Sequence, residues 1–365
     1  MAEATPDPIS EPPLPNIPGR RGRHAVLHRL RRGRRLRIDA YHGYGTRDLL
    51  HVRGRVLRDA GVGRVGPDDR VLRNLGNTLR RALTDEVPGA RVRARFRGVV
   101  REVVTDRNGF FDIVLPVSDE LLPPGVWHEV ELVLLDPLPA DGAAVRASSR
   151  VLVPPPDAEF GVISDIDDTV VRSDVTTWHR MLRIVLLTNA HSRTPFEHVD
   201  SLYRALKAGP DGTARNPIFY VSSSPWNLYD LLEEFFRVHG IPEGPLFLRD
   251  WAMSPRQLLG MGHHEHKLER IRALFDLYAE LPWVLIGDSG QEDPEIYREV
   301  VREYPGRVRA IYIRDVTTPA RDREVHAIAD EVRAMGVEML LVKEKNEAAA
   351  HAAEHGLIIR AAPDG

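Results

Sequence analysis

Asp165-Ile166-Asp167-Asp168-Thr169 follows a short apolar run and is the segment of this chain best equipped for chemistry. Carboxylates two residues apart on an extended segment project to the same side. An aspartate held there can attack phosphorus and form an acyl phosphate, dividing one hard step into two. Its neighbour Asp167 is positioned to protonate a leaving alkoxide and then to activate water. Two anions beside a phosphate require a cation, and hard oxygen donors suit Mg²⁺. A turn rich in Asp and Thr is common by itself, so the reading needs partners elsewhere in the chain.

Three partners follow in order. Ile218-Phe219-Tyr220-Val221 runs into Ser222-Ser223-Ser224-Pro225. The Ser222 hydroxyl, first off that strand, can donate to a phosphate oxygen, while Ser224 has the place of a helix N-cap. Lys267 opens a helical pattern with Leu268, Ile271, Leu274 and Tyr278, where its charge can answer phosphoryl oxygens. It is one of only four lysines among 50 basic residues. Gly287-Asp288-Ser289-Gly290-Gln291-Glu292-Asp293 then offers Asp288 as a further metal ligand and Asp293 as a group that orients metal-bound water or Lys267. His263, His264 and His266 resemble a metal cluster, but they lack a cysteine or helix-spaced acid and are read as polar loop residues. Arg193, Arg249 and Arg314 suit phosphate binding and structural ion pairs equally.

The elements that must position these residues are legible as alternation. Residues 160–164, 217–221, 283–287, 308–313 and 338–342 are short apolar runs of buried-strand type, separated by helical periods. The clearest period is Leu228, Leu231, Leu232, Phe235 and Phe236, closed by Gly240. Such a pattern predicts a parallel sheet covered on both faces, with its ligand beyond the carboxyl ends of the strands. About 50 residues, 170–216, separate the first two strands and predict a cap insertion. Its stripe of Trp178, Met181, Leu182, Val185 and Leu186 is expected to pack on the domain rather than touch acyl chains.

Upstream, residues 39–155 carry six alternating or β-branched runs, at 51–57, 91–97, 99–105, 110–115, 130–135 and 145–153. Asp106-Arg107-Asn108-Gly109 between two of them predicts a tight hairpin. A small β-sandwich of immunoglobulin-like or transthyretin-like type is expected, serving packing or interaction, since it holds no cluster of acids, bases or nucleophiles. Residues 1–38 are expected to be a disordered arm: six prolines in the first 18 residues, then nine arginines and no acid between Gly19 and Arg37. The arm suits anionic lipid headgroups, each basic residue adding roughly 1 kcal/mol near such a surface. The plain alternative is a solvated basic tail, and a nucleic-acid contact is a third option for the arm.

Composition narrows the rest. The 365 residues include no cysteine, which excludes disulfides and thiolate chemistry and fits a cytoplasmic protein. The net charge of −3 gives no reason to expect nucleic acid as a partner. No apolar run is long enough to span a bilayer. Any membrane contact is therefore expected to be peripheral, at the inner face.

Asp165, Asp167, Ser222, Lys267, Asp288 and Asp293 together resemble the signature of the haloacid-dehalogenase-like superfamily. More narrowly, residues 155–320 resemble the catalytic domain of the actin-patch-associated phosphatidate phosphatases, relatives of lipins. Ile163-Ser164-Asp165-Ile166-Asp167-Asp168-Thr169-Val170, Arg193-Thr194-Pro195-Phe196, Tyr220-Val221-Ser222-Ser223-Ser224-Pro225-Trp226 and Leu248-Arg249-Asp250-Trp251 carry that likeness, with Gly287-Asp288-Ser289-Gly290-Gln291. The resemblance implies a Rossmann-like domain over 156–365 that hydrolyses phosphatidate to diacylglycerol and phosphate with Mg²⁺. It implies Asp165 as nucleophile and ligand, Asp167 as general acid/base and ligand, and Asp288 as the remaining ligand. Ser222, Lys267 and Thr169 would hold the phosphate. A phosphatase of soluble phosphomonoesters is the alternative; a lipid-binding module without turnover is a third reading, and the presence of Asp167 counts against it. Asp165, Asp167, Ser222, Lys267 and Asp288 must converge around one divalent ion and one phosphoryl group; side chains on opposite faces of the domain, or an Asp165 sealed from solvent, would sink the whole reading.

Overall fold

The computed structural model describes residues 35–59, 85–166, 199–213, 215–249, 263–343 and 346–359. Asp167, Thr169, Arg193, the stripe from Trp178 to Leu186 and the arm through residue 34 lie outside the described residues.

The amino-terminal unit is a nine-stranded, largely antiparallel sheet. Its strands are β1 (Arg35–Ala40), β2 (Gly43–Gly45), β3 (Leu49–Asp59), β4 (Asp85–Glu86), β5 (Arg91–Phe96), β6 (Val99–Val104), β7 (Phe110–Pro116), β8 (Trp127–Asp136) and β9 (Arg146–Leu152). β5 shows why they form: Val92, Ala94 and Phe96 are buried while Arg91, Arg93 and Arg95 face solvent, the period-two signature of a half-buried strand. Most buried residues of this unit form one apolar cluster, while Tyr41, Phe110 and Leu152 pack with residues of the second unit. The first strand begins at Arg35, inside the stretch expected to be a disordered arm; alternating Leu36 and Ile38 enter the core, which draws their arginine neighbours into the sheet.

The tight hairpin lies elsewhere than expected. β6 pairs with β5 and β7 pairs with β3, so Asp106-Arg107-Asn108-Gly109 links strands that are not partners. Asp106 Oδ1 accepts the amides of Asn108 (2.8 Å) and Phe110 (2.9 Å), and Gly109 alone takes positive φ. The two-residue hairpin is Arg97-Gly98, both at positive φ, joining paired Phe96 and Val99.

The second unit is a six-stranded, all-parallel sheet. Its strands are β10 (Gly161–Asp165), β11 (Ile218–Pro225), β12 (Leu246–Arg249), β13 (Trp283–Asp288), β14 (Val308–Arg314) and β15 (Met339–Val342), in spatial order β12-β11-β10-β13-β14-β15. Its helices are α1 (Val199–Ala208), α2 (Tyr229–His239), α3 (His263–Leu277), α4 (Asp293–Glu303), α5 (Pro319–Ala334) and α6 (Glu347–Glu354). Adjacent strand residues serve opposite faces. Val162, Ile218, Tyr220 and Tyr312 pack with α1, α2 and α6, whereas Ile163, Phe219, Val221 and Ile311 pack with α3, α4 and α5. Burial on both sides is what an all-parallel sheet requires. Strand order reverses around β10, which makes its carboxyl end the crevice where such sheets take ligands.

The two units share side chains. Tyr41 stacks on Trp226 with ring centroids 4.5 Å apart, Arg55 donates to Asn227 Oδ1 at 2.9 Å, and Tyr278 donates its hydroxyl to the Gly45 carbonyl at 3.0 Å. No helix among the described residues is long and apolar enough to cross a membrane.

Candidate active site

β10 ends at Asp165 and β13 at Asp288, on neighbouring parallel strands. β10 also pairs with β11 on its other side, with Asp165 opposite Val221, so Ser222 stands one residue beyond that register. Asp165, Asp288 and Asp293 offer carboxylate oxygens that all lie within 4.8 Å of one another, and all three residues are buried.

Lys267, on the second turn of α3, reaches into this cluster. Its Nζ is 3.0 Å from Asp165 Oδ1 and 2.5 Å from Asp293 Oδ1. Asp293 uses its other oxygen, Oδ2, to accept the Asp288 amide at 3.1 Å. Asp288 Oδ1 in turn accepts the amides of Gly290 (2.7 Å) and Gln291 (3.2 Å), which folds the turn back over the strand tip. Gly287 is needed here for space: a Cβ would stand 2.4 Å from Asp293 Oδ2.

Among the described residues, three carboxylates and one ammonium gather here out of reach of solvent. Carboxylates gathered in a buried place favour a cation among them, and an all-oxygen donor set is what a hard divalent cation takes. The residues present therefore fit Mg²⁺. Their collective charge also reaches nearby groups. The Tyr297 hydroxyl is held far above the usual phenol range, first by burial and then by Asp293, Asp165 and Asp288. Tyr203 is pushed up to about 12, mainly by burial; its hydroxyl shares a 2.7 Å hydrogen bond with Ser164 directly behind Asp165. Neither tyrosine stood out in the sequence.

Several expectations need correction. The condition that Asp165 be open to solvent is not met: its side chain is 2% exposed, with Lys267 Nζ 3.0 Å from its Oδ1. Ser224 caps no helix. β11 carries the serines extended through Pro225, a 3₁₀ turn at Trp226–Leu228 follows, and no side chain caps either helix start. Ser222 Oγ accepts the Ser224 amide at 2.9 Å. His263, His264 and His266 lie in the first turn of α3 rather than in a loop; His264 faces Glu299 at 3.4 Å and Glu292 at 3.6 Å. Arg249 ends β12, and burial lowers its pKa; Arg314 ends β14 opposite Asp288.

A parallel sheet whose central strand tips gather three aspartates and a lysine defines an α/β domain suited to holding an anion and a cation together. Residues 160–315 match the family model described as phosphatidate phosphatase APP1, catalytic domain. Phosphatidate phosphatase APP1 of Saccharomyces cerevisiae is 30% identical over 172 residues, 46% of this chain and 28% of that protein. An uncharacterised protein of Schizosaccharomyces pombe is 28% identical over 250 residues, 66% of this chain and 39% of that protein. The chain thus spans well under half the length of these curated relatives. Among solved structures, a carbohydrate acetylesterase from Xanthomonas citri is 12% identical with a TM-score of 0.25, covering 80% of this chain and 72% of that one. A likeness that low carries no argument. The resemblance to the lipin-related phosphatases drawn from the sequence is matched over residues 160–315 by similarity to the APP1 catalytic domain.

Proposed function

We propose that this protein is a Mg²⁺-dependent phosphatidate phosphatase of haloacid-dehalogenase-like, Rossmann-like fold, working through an aspartyl phosphate on Asp165. The observation that carries the reading is the convergence of Asp165, Lys267, Asp288 and Asp293 at the tips of β10 and β13, within the stretch homologous to the APP1 catalytic domain. The antiparallel unit is read as a sandwich-type module, on the strength of its single core and alternating strands.

Asp165, Asp167 and Asp288 would hold Mg²⁺, which supplies charge neutralisation for the phosphoryl oxygens. In the first step a carboxylate oxygen of Asp165 bonds to phosphorus as the ester P–O bond breaks, and Asp167 gives its proton to the departing alkoxide of diacylglycerol. In the second, Asp167 takes a proton from water, the water oxygen bonds to phosphorus, and the Asp165 carboxylate leaves. Lys267, relayed through Asp293, then trades its bond to Asp165 for one to the phosphoryl group as negative charge gathers there. The closed ion pair in the described conformation is thus the resting arrangement that substrate must displace. Thr169 and Ser222 complete the phosphate contacts in this reading. The Arg-rich arm would bring the cytoplasmic protein to anionic lipid at the inner membrane face.

The test is phosphate release with Mg²⁺ from phosphatidate in vesicles and from water-soluble phosphomonoesters. Preference for phosphatidate is expected. Equal or better turnover of soluble esters would move the assignment to a phosphatase of soluble substrates.

A further inference from the structure

A second set of donor atoms gathers at the opposite end of the parallel sheet. Glu338 directly precedes β15, with its backbone carbonyl held by the Ile311 amide at 2.9 Å. His351 lies on α6 and His355 at its carboxyl cap, four residues apart and so on one face. The Glu338 carboxylate oxygen Oε2 is 2.5 Å from His351 Nε2 and 3.3 Å from His355 Nε2. One donor atom from each of the three residues lies within 4.8 Å of the others.

The far nitrogens of both rings are engaged. His355 Nδ1 is 2.9 Å from the His351 carbonyl, and His351 Nδ1 is 3.0 Å from the Tyr312 hydroxyl. A carbonyl only accepts, so His355 carries a hydrogen on Nδ1, and Nε2 is the ring atom that faces the carboxylate oxygen. Imidazoles anchored through Nδ1, with Nε2 converging on a carboxylate, are the arrangement of metal-ligating histidines. Arg333, the nearby cation, is held at 2.6 Å by Asp330.

We propose that Glu338, His351 and His355 bind a divalent transition-metal ion of the Zn²⁺ class. Two imidazoles and one carboxylate favour Zn²⁺ over Mg²⁺, and the partial exposure of Glu338 and His355 leaves room for water as fourth ligand. The ion clips α6 to β15 and, through His351 and Tyr312, to β14. The site stands apart from the aspartate cluster, because it lies at the amino end of β15 whereas Asp288 lies at a carboxyl end.

Zn²⁺ titration of the full chain by calorimetry, in saturating Mg²⁺ to occupy the aspartate cluster, tests this. Wild type should take up a Zn²⁺ equivalent that His355→Ala and Glu338→Gln lose or bind about 10–100-fold more weakly. Both substituted side chains are about half exposed, so each variant should match the wild-type Tm in chelator and fail to gain the Zn²⁺-dependent increment. Identical Zn²⁺ isotherms for wild type and both variants would overturn the proposal. So would absence of Zn²⁺ uptake at micromolar concentration by wild type, which would mean that a ring proton bridges the group.

Discussion

Lys267 and Asp293 form a sealed ion pair: the ammonium is 3% exposed, the carboxylate 0%, and 2.5 Å separates them. Breaking a buried pair from one side strands the other charge, at a cost of about 3–5 kcal/mol. Asp293→Asn should therefore lower stability by about 3 kcal/mol, the low end because Asp165 also holds Lys267. Urea denaturation reads this directly. A variant with unchanged midpoint would show that the pair contributes nothing net.

Gly287 leaves the space that Asp293 fills, and the contact is with a side chain that cannot retreat without releasing the Asp288 amide. Gly287→Ala should cost about 1–3 kcal/mol through overpacking. It should also raise the Mg²⁺ concentration needed for half-maximal phosphate release, because Asp288 loses its backbone anchor. Unchanged Mg²⁺ dependence would detach Asp293 from the metal site.

Much of this arrangement was legible in the sequence because two periodicities are strong. The apolar runs of the parallel sheet and the six β runs upstream match observed strands to within a few residues, since burial on one or two faces writes itself as alternation or as a continuous run. The strands that escaped notice are those where that signal fails. β1 has arginine at two of its six positions, β2 and β4 are only three and two residues long, and β12 is the four residues Leu246–Arg249. Likewise, aspartates at strand tips can be recognised by type and position. The closure of Asp165 by Lys267 is a tertiary contact between residues about 100 positions apart, which no local pattern encodes.

Asp165→Asn tests the proposed nucleophile. An amide oxygen attacks phosphorus poorly, so phosphate release should fall by about 10³-fold or more, equivalent to about 4 kcal/mol of barrier. Chelation of Mg²⁺ in the wild type should abolish release as well, and re-addition should restore it. A variant with normal Mg²⁺-dependent turnover would remove Asp165 from the mechanism.

Glu233 on α2 faces His42 of the antiparallel unit at 3.3 Å. Its pKa is raised to about 7, first by burial, then by Asp230 and Glu243, with Arg150 opposing and Glu234 adding a little. The folded protein thus keeps a proton that the unfolded chain releases near 4.5. This contribution to stability is present below about 4.5 and is lost as pH rises through 7. His42 works the other way: its pKa is lowered by burial and by Arg150, so its contribution is lost as pH falls below the ordinary histidine range. Glu233→Gln isolates the carboxylate. The variant should gain on wild type between pH 5 and pH 8, by less than about 1 kcal/mol because solvent reaches nearly half of the Glu233 side chain. Parallel urea midpoints for both proteins across that range would refute the linkage.

Trp226 and Asn227 follow directly on the Ser222-Ser223-Ser224-Pro225 segment, and both are held by the other unit. Tyr41 stacks on the indole, Arg53 lies 4.9 Å above it, and Arg55 bonds Asn227. The antiparallel unit thereby buttresses the strand end that the proposed mechanism uses for phosphate contact. Tyr41 is 4% exposed, so Tyr41→Ala should cost about 3–5 kcal/mol, as large-to-small changes of buried aromatics do. If the buttress matters for function, phosphate release should also fall at temperatures where circular dichroism still reports a folded protein. Tyr41→Phe keeps the ring and should retain activity. Loss of stability in Tyr41→Ala with turnover intact in the folded fraction would confine the contact to holding the units together.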